Sequence, residues 1–312
     1  MKVKRAIDSK FEGHSVITIG TFDGVHIGHQ KIIKRLVKNA RKHNMRAVVL
    51  TFFPHPRMVL QKDTNIKMIN TIDERSQLLE QLGVDLLVVK KFTKKFSRLS
   101  AFDYVRDLLV NQLQAKRIII GYDHHFGRNR AANIDDLKEF GDTFDFKVVE
   151  ISAQEIDEVA VSSTKIRKAL QEGDLITANT YLGYDFMLNG KVVKGKGIGK
   201  KLDFPTANLE IEETYKLVPK NGVYVISSQM KKRKVFGMMN IGTNPTFNEG
   251  NDRFIEINFF DFNKDIYGKK IQVNILNRLR DEQKFDSVDA LKVQLNKDKQ
   301  DALNFIAQQH AQ

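Results

Sequence analysis

Gly20-Thr-Phe-Asp-Gly-Val-His-Ile-Gly-His29 follows the apolar run Val16–Gly20 (VITIG) and leads into a helical pattern over His29–His43. A buried strand that ends on glycine and turns at once into a helix is the opening unit of a parallel α/β sheet. Gly20 and Gly24 let the chain turn where a Cβ would clash. His26 and His29 flank Gly28 and fall on one face of the first helical turn. Two imidazole donors beside the exposed N–H groups of a helix start suit a bound phosphate. Gly28 leaves room for an adenine or ribose against the backbone, and Asp23 is placed to orient a histidine or help hold Mg2+. The plain alternative is a helix cap with two surface histidines.

Outward from this stretch, Arg46–Phe53, Asp85–Val89, Arg117–Gly121 and Lys147–Ile151 read as further buried strands. Helical patterns lie between or after them at Thr71–Leu82, Ser100–Leu113, Ile134–Phe140 and Ser162–Gln171. The alternation predicts a Rossmann-like parallel sheet with helices on both faces and a ligand site beyond the carboxyl ends of the strands. The texture changes after Gly183. Gly190–Val193, Val223–Ser228, Val235–Ile241, Phe254–Phe260 and Gln272–Leu276 are short alternating runs between Gly, Asn, Pro and Lys clusters. They predict a small antiparallel β-barrel. A terminal helix follows over Ser287–Gln308, with Leu291, Leu295, Leu303 and Ile306 near helical spacing. The domain boundary is expected in Gly173–Asp185, giving domains 1–183 and 184–312.

Composition narrows the class. The chain has 312 residues, room for two cores, and no cysteine, which excludes a disulfide framework, thiolate catalysis and a thiolate metal site. No apolar run approaches the length of a membrane span, and the charged opening MKVKRAIDSKFEG lacks an apolar signal core. A cytoplasmic protein without a membrane partner is expected. The formal charge of +13 favours anionic partners. The lysines are spread along the chain rather than gathered into a stripe, so nucleic acid is disfavoured against phosphorylated small molecules.

Two further segments carry chemistry. Val161-Ser-Ser-Thr-Lys-Ile-Arg167 precedes a helix. Capping explains Ser162 or Ser163, but not two cations at a helix N-terminus, where the dipole disfavours them. An anion clamp for ATP phosphates explains both. Gly190-Lys-Val-Val-Lys-Gly-Lys196 nearly spells a Walker A loop, but Gly197 stands where Ser or Thr is required and no helix follows. The Gly195–Lys201 stretch remains a cationic glycine-rich loop able to cradle phosphates or simply to lie on the surface. Phe204-Pro-Thr-Ala-Asn208 follows it, and Thr206 and Asn208 offer two neutral oxygens suited to Mg2+ shared with phosphates. Glu256 lies in an otherwise apolar strand, and alternation puts it with Asn258 opposite Ile255 and Ile257, compatible with a solvent face.

Taken in order, Gly20–His29, Phe53-Pro-His-Pro56, Gly121-Tyr-Asp123, Phe126-Gly127 and Ser162–Arg167 resemble the adenylyltransferase half of bacterial bifunctional riboflavin kinase/FAD synthetases. Gly195–Asn208, Gly222-Val-Tyr224, Asn240–Phe247, Glu256, Asp261-Phe262, Tyr267-Gly268 and Leu279–Phe285 resemble the kinase half. The resemblance spans essentially the whole chain in the family's order. It implies ATP-dependent phosphorylation of riboflavin to FMN, then adenylylation of FMN to FAD and pyrophosphate, with Mg2+. It implies that His26 and His29 stabilise the ATP phosphates, with Gly20, Phe22, Asp23 and Gly28 around them. Ser163, Thr164 and Arg167 would grip the triphosphate, and His55 and Asp123 would shape the nucleotide or flavin site. In the kinase half Glu256 would be the general base. Thr206 and Asn208 would bind Mg2+-ATP. Gly195, Gly197, Gly199 and Lys201 would cover the phosphates, and Arg280 and Phe285 would fall in the flavin-closing segment.

The chain departs from the family pattern at His124, His125, Ala132, Asp203 and Asn258. Competing readings are an adenylyltransferase with a regulatory kinase-like domain, and a basic RNA-binding or regulatory protein that kept the fold, for which the Lys231–Lys234 run is the only local feature. His26-Ile-Gly-His29 also spells the class I aminoacyl-tRNA synthetase signature, but no Lys-Met-Ser-Lys-Ser segment accompanies it. Oligomeric state is open, a homo-oligomer included.

Overall fold

The computed structural model describes residues 1–4, 12–61, 66–122, 124–152, 161–195, 204–231, 233–243 and 253–310. By internal contact the chain divides into two compact units, Met1–Ser163 and Thr164–Gln312.

The first unit is built on a six-stranded, wholly parallel sheet. Its strands are β1 (Lys2–Lys4), β2 (Ser15–Ile19), β3 (Arg46–Phe53), β4 (Leu86–Lys91), β5 (Ala115–Gly121) and β6 (Lys147–Ile151). The spatial order is β1-β4-β3-β2-β5-β6. Its helices are α1 (Ile27–Lys42), α2 (Pro56–Leu60), α3 (Ile72–Gln81), α4 (Ala101–Asp103, running on as a π-helical stretch Tyr104–Gln112) and α5 (Ile134–Phe144). Every residue of β2 is buried, as a strand covered on both faces requires. Ile17, Val48, Leu50, Val88, Ile118 and Ile120 pack with Tyr104, Val105, Leu108 and Leu109 of the π-helical stretch. The chain passes from β2 outward in both directions, to β3 on one side and β5 on the other. The strand order therefore reverses at β2, where α/β sheets open a crevice for ligands. The parallel sheet is as expected; the edge strand β1 and helix α2 were not legible, and Ser100–Leu113 is π-wound rather than α-helical.

The second unit opens one residue into α6 (Ser163–Glu172), followed by α7 (Leu175–Leu182), the latter not anticipated. Lys220 N–H donates to the Leu170 carbonyl at 3.0 Å, and Asn179 Nδ2 donates to the Ile275 carbonyl at 3.0 Å. These bonds fasten both helices to the barrel, so the contact division falls ahead of the expected boundary at 183/184. The barrel strands are β7 (Phe186–Val193), β8 (Ala207–Glu210), β9 (Gly222–Met230), β10 (Arg233–Thr243), β11 (Arg253–Phe259) and β12 (Lys270–Arg280). They close antiparallel in the order β10-β11-β8-β7-β12-β9. Closure leaves no free edge. Tyr224, Ile226, Met239, Ile241 and Ile257 are buried at alternate positions. The opposite alternation, Val225 and Met238, packs with Ala302, Leu295, Phe305 and Ile306 of the terminal helix α8 (Val288–His310). Burying each such large apolar side chain is worth about 1.5–3 kcal/mol, enough to hold a long amphipathic helix against the barrel wall.

Candidate active sites

In the first unit, His26 is the N-cap of α1. Its backbone is extended, and its Nδ1 accepts the N–H of His29 at 3.4 Å. That bond puts the proton of the neutral ring on Nε2, leaving Nε2–H as the donor. The His26 and His29 rings stack with centroids 3.6 Å apart, and Phe22 meets His29 edge-on at 5.1 Å. Burial pushes the His26 imidazole down to about 4, with Asp23 acting weakly upward. Burial, then His26, then Arg75 hold His29 well below the usual imidazole range. Both rings are therefore neutral N–H donors at physiological pH. His29 Nδ1 is buried with no hydrogen-bond partner among the described residues.

The turn that carries them is strained. Phe22 and Val25 have φ of 46° and 36°, and Gly24 has φ of 89°. Positive φ at a bulky residue persists only where surroundings over-determine it. A Cβ on Gly20 would stand 3.1 Å from the Phe22 ring, and one on Gly28 3.3 Å from the His26 ring. Gly28 thus gives room to the histidine pair itself. Asp23 is 1 % exposed and accepts the N–H groups of Ile69 and Asn70, each at 3.2 Å, with Arg75 Nη2 at 3.7 Å. Its carboxylate anchors the turn, which is a different task from the metal ligation considered from sequence. Ser163 Oγ donates to the Asp23 carbonyl at 2.8 Å, so the serine of the cationic segment touches the histidine turn. Thr164 and Arg167 lie on α6 in the second unit. His55 caps α2, its Nδ1 accepting Arg57 N–H at 3.2 Å. Asp123 lies outside the described residues. Beside it, His124 stacks on Phe126 at 5.9 Å. Ala132 pairs with Phe126 in an isolated bridge at ordinary φ, so nothing there requires glycine.

In the second unit one row of residues runs round the barrel wall by direct pairing. Val193 pairs with Asn208, Asn208 with Glu256, Glu256 with Asn240, Asn240 with Val223, and Val223 with Arg280. Directly paired residues project on one face. From Asn208 onward they all line a cavity of about 710 Å3, with Thr206, Gly195, Phe285 and Asp298. Glu256 is therefore not on an open solvent face: α8 and the segment after β12 cover that side of the barrel. Asn208 Nδ2 is buried without a hydrogen-bond partner among the described residues. A Cβ on Gly195 would stand 1.9 Å from Asn208 Nδ2, so any other residue there displaces the Asn208 amide. Asn258 Nδ2 donates to the Pro205 carbonyl at 2.9 Å and pins the segment leading to Thr206. This gives the departure at Asn258 a positioning role. Arg280 grips Asp298 with two bonds, Nε to Oδ1 at 2.8 Å and Nη2 to Oδ2 at 2.7 Å. Its guanidinium lies 5.8 Å from the Phe285 ring. Nη1 also donates to the Asp281 carbonyl at 3.0 Å, so three of the five N–H groups of Arg280 are engaged and its flat face is turned to Phe285. Gly197, Gly199, Lys201 and Asp203 lie outside the described residues. Asp298 and Arg75 were missed in the sequence, and Asn240 entered there only as the start of the Asn240–Phe247 segment.

Comparison with known proteins follows this division. Residues 8–165 match the family model described as FAD synthetase, and residues 182–306 match that described as riboflavin kinase. The chain is 38 % identical over 303 residues to the bifunctional riboflavin kinase/FMN adenylyltransferase of Buchnera aphidicola subsp. Schizaphis graminum, covering 96 % of each. It is 36 % identical to the protein of the same name from Listeria monocytogenes, covering 94 % of this chain and 93 % of the relative. The Escherichia coli K12 protein of that name is 33 % identical, covering 93 % and 92 %. A crystal structure named as a macrolide-efflux protein from Streptococcus pneumoniae superposes with a TM-score of 0.86 at 34 % identity, covering 97 % of this chain and 98 % of that one. Among the described residues of the present chain, no helix is long and apolar enough to cross a membrane.

Proposed function

We infer, from the premise that this chain belongs to the family of bifunctional riboflavin kinases/FMN adenylyltransferases, that it makes FAD from riboflavin in two ATP-dependent steps. It phosphorylates riboflavin to FMN and then adenylylates FMN. We assign adenylyl transfer to residues 1–183 and the kinase to 184–312. The observation that carries the kinase assignment is the pairing of Glu256 between Asn208 and Asn240 on the cavity wall. There Glu256 takes the proton from the riboflavin 5′-hydroxyl as its oxygen attacks the γ-phosphorus of ATP, and ADP leaves. The Thr206 hydroxyl and the Asn208 amide oxygen would hold Mg2+. No group of three or more His, Cys, Asp or Glu among the described residues could hold a metal. Thr206 and Asn208 both line the cavity beside Glu256, and two neutral oxygens completed by phosphates are a donor set that magnesium accepts. The ion would supply charge neutralisation on the phosphates. Gly195, Gly197, Gly199 and Lys201 cover those phosphates, while Phe285 and the face of Arg280 close on the flavin.

In the first unit, an FMN phosphate oxygen attacks the α-phosphorus of ATP and pyrophosphate leaves. Neutral His26 and His29 donate to the phosphate oxygens as charge develops, within a turn made by Gly20, Phe22, Asp23 and Gly28. Ser163 holds the triphosphate, and His55 and Asp123 border the nucleotide or flavin. The donors are fixed before substrate arrives, so catalysis is positioning and electrostatics. The substrates are small molecules, and we place the enzyme in the cytoplasm, where ATP reaches both steps. Chromatography of riboflavin incubated with Mg-ATP tests the assignment. The chain forms FMN and then FAD. Glu256→Ala stops FMN formation yet still adenylylates added FMN, and His29→Ala accumulates FMN without FAD. If either variant keeps both steps, the corresponding site is misassigned.

A further inference from the structure

Beneath the histidine turn lies a buried polar network that the chemistry above does not use. Arg75 on α3 is 1 % exposed and is the bulkiest fully buried side chain among the described residues. Its Nη2 stands 3.7 Å from Asp23 Oδ1, and its Nη1 donates to Thr51 Oγ1 at 3.3 Å. Thr51 Oγ1 donates in turn to the Thr21 carbonyl at 3.2 Å. Asp23 also takes the Ile69 and Asn70 N–H groups. The start of α3 is itself fixed by a reciprocal capping box between Thr71 and Glu74, both buried. Three segments thus meet at one guanidinium: the turn at Thr21–Val25, the C-terminal part of β3, and residues Ile69–Arg75. Stability does not call for this arrangement, since packed apolar residues commonly replace a buried ion pair at no loss. What the network does fix is the strained turn, whose Phe22 and Val25 have positive φ and whose next residue is the capping His26.

We propose that Arg75 is the positioning residue of the adenylyl-transfer site: through Asp23 and Thr51 it holds the Thr21–Val25 turn in the form that presents His26 and His29 to the ATP phosphates. The inference rests on the assignment of those histidines to adenylyl transfer. Arg75 also faces His29 electrostatically, together with His26, while Asp23 faces His26. Removing the guanidinium therefore lets the His29 imidazole protonate at higher pH.

The test measures kcat/KM for FMN adenylylation from pH 5 to 8 on the full chain, with riboflavin phosphorylation by the same chain as the internal check. Arg75→Met is expected to lose on the order of 10²-fold, the cost of a displacement of about 1 Å. Its acid limb should move to higher pH, and phosphorylation of riboflavin should stay at the wild-type rate. Arg75→Lys, which keeps the charge, should recover a large part of the loss and restore the wild-type limb. Removing one charge leaves its buried partner uncompensated, so the neutral double variant Asp23→Asn with Arg75→Met is measured too. It should fold, by circular dichroism, and remain impaired in adenylylation. A double variant as active as wild type, or an Arg75→Met variant with unchanged rate and unchanged acid limb, overturns the proposal. His29→Ala separates the two layers. If it adenylylates normally, the histidine assignment fails; if it is inactive while Arg75→Met is unaffected, only the role of Arg75 fails.

Discussion

Replacing Asp298 by alanine should loosen the wall of the kinase cavity while leaving adenylyl transfer alone. Asp298 is 1 % exposed and takes two guanidinium bonds from Arg280, with a third bond from Gln294 Nε2 at 2.8 Å. Removing one partner of a buried, hydrogen-bonded pair costs about 3–5 kcal/mol, because the remaining charge is left uncompensated. The Arg280 side chain keeps 17 % exposure, so part of its hydration returns. The expected loss is then roughly 2–4 kcal/mol. For a unit of this size that lowers the midpoint of thermal unfolding by roughly 5–15 °C. The functional effect follows from Phe285, which packs on Arg280. A freed guanidinium forfeits a cation–π contact of about 0.5–2 kcal/mol, which corresponds to a riboflavin KM higher by roughly two- to thirtyfold. Differential scanning fluorimetry and steady-state kinetics on riboflavin and on FMN measure both. A variant that melts within about 2 °C of wild type and keeps its riboflavin KM would refute the clamp.

Other outcomes follow from single distances. Gly195→Ala sets a Cβ against Asn208 Nδ2 at 1.9 Å, so riboflavin phosphorylation should fall on the order of 10²-fold; adenylylation of added FMN stays at wild type, and equal loss in both steps counts against the contact. Because the folded-state pKa of His26 is depressed to about 4, the unfolded chain binds the extra proton first. Stability should therefore fall as pH drops from about 6.5 toward 4 and be unaffected above that window. Urea unfolding at pH 7.5 and 5 should show a smaller difference in His26→Gln, and an identical difference in both proteins removes His26 as the cause.

The central strands of the parallel sheet were legible because they are buried on both faces and read as nearly unbroken apolar runs, as Arg46–Phe53 does, with the expected limits; the edge strand Lys147–Ile151 also has its expected limits, although Lys147 and Glu150 are exposed. The short elements were not. β8 is four residues long and was not among the expected strands, although Asn208 within it pairs with Glu256. α7 carries Thr177, Asn179 and Thr180, poor helix formers, and leaves Ile176 exposed, so no apolar stripe announces it. Capping by Asp174 and barrel contacts through Asn179 make it a helix instead. The expectation that Glu256 could face solvent failed for a related reason: alternation tells which residues share a face, and only the tertiary fold says that α8 covers it.

The residues missed at both sites share a signature that the sequence did contain. On α8 the buried stripe runs Leu291, Leu295, Asp298, Ala302, Phe305, at steps of four, three, four and three. Leu303, included in the stripe from sequence, is 39 % exposed, while Ala302 is fully buried. Asp298 holds an apolar position. On α3 the same steps give Ile72, Arg75 and Leu79, and Arg75 holds an apolar position there. A carboxylate or guanidinium on the inward stripe of a helix would cost several kcal/mol if left alone. Such a helix folds onto its neighbour only if a partner waits there, and in both cases the partner lies at a proposed site: Arg280 beside the cavity, and Asp23 under the histidine turn. The two ion pairs thereby tie a helix at one fixed register, to the end of β12 in one case and to the histidine turn in the other, which apolar contact, being non-directional, does not do. Exchanging each pair for apolar residues of equal volume separates the two contributions. Stability should be kept or raised, while the reaction served by that site slows; an exchange that leaves both reactions at wild-type rates would reduce these pairs to packing.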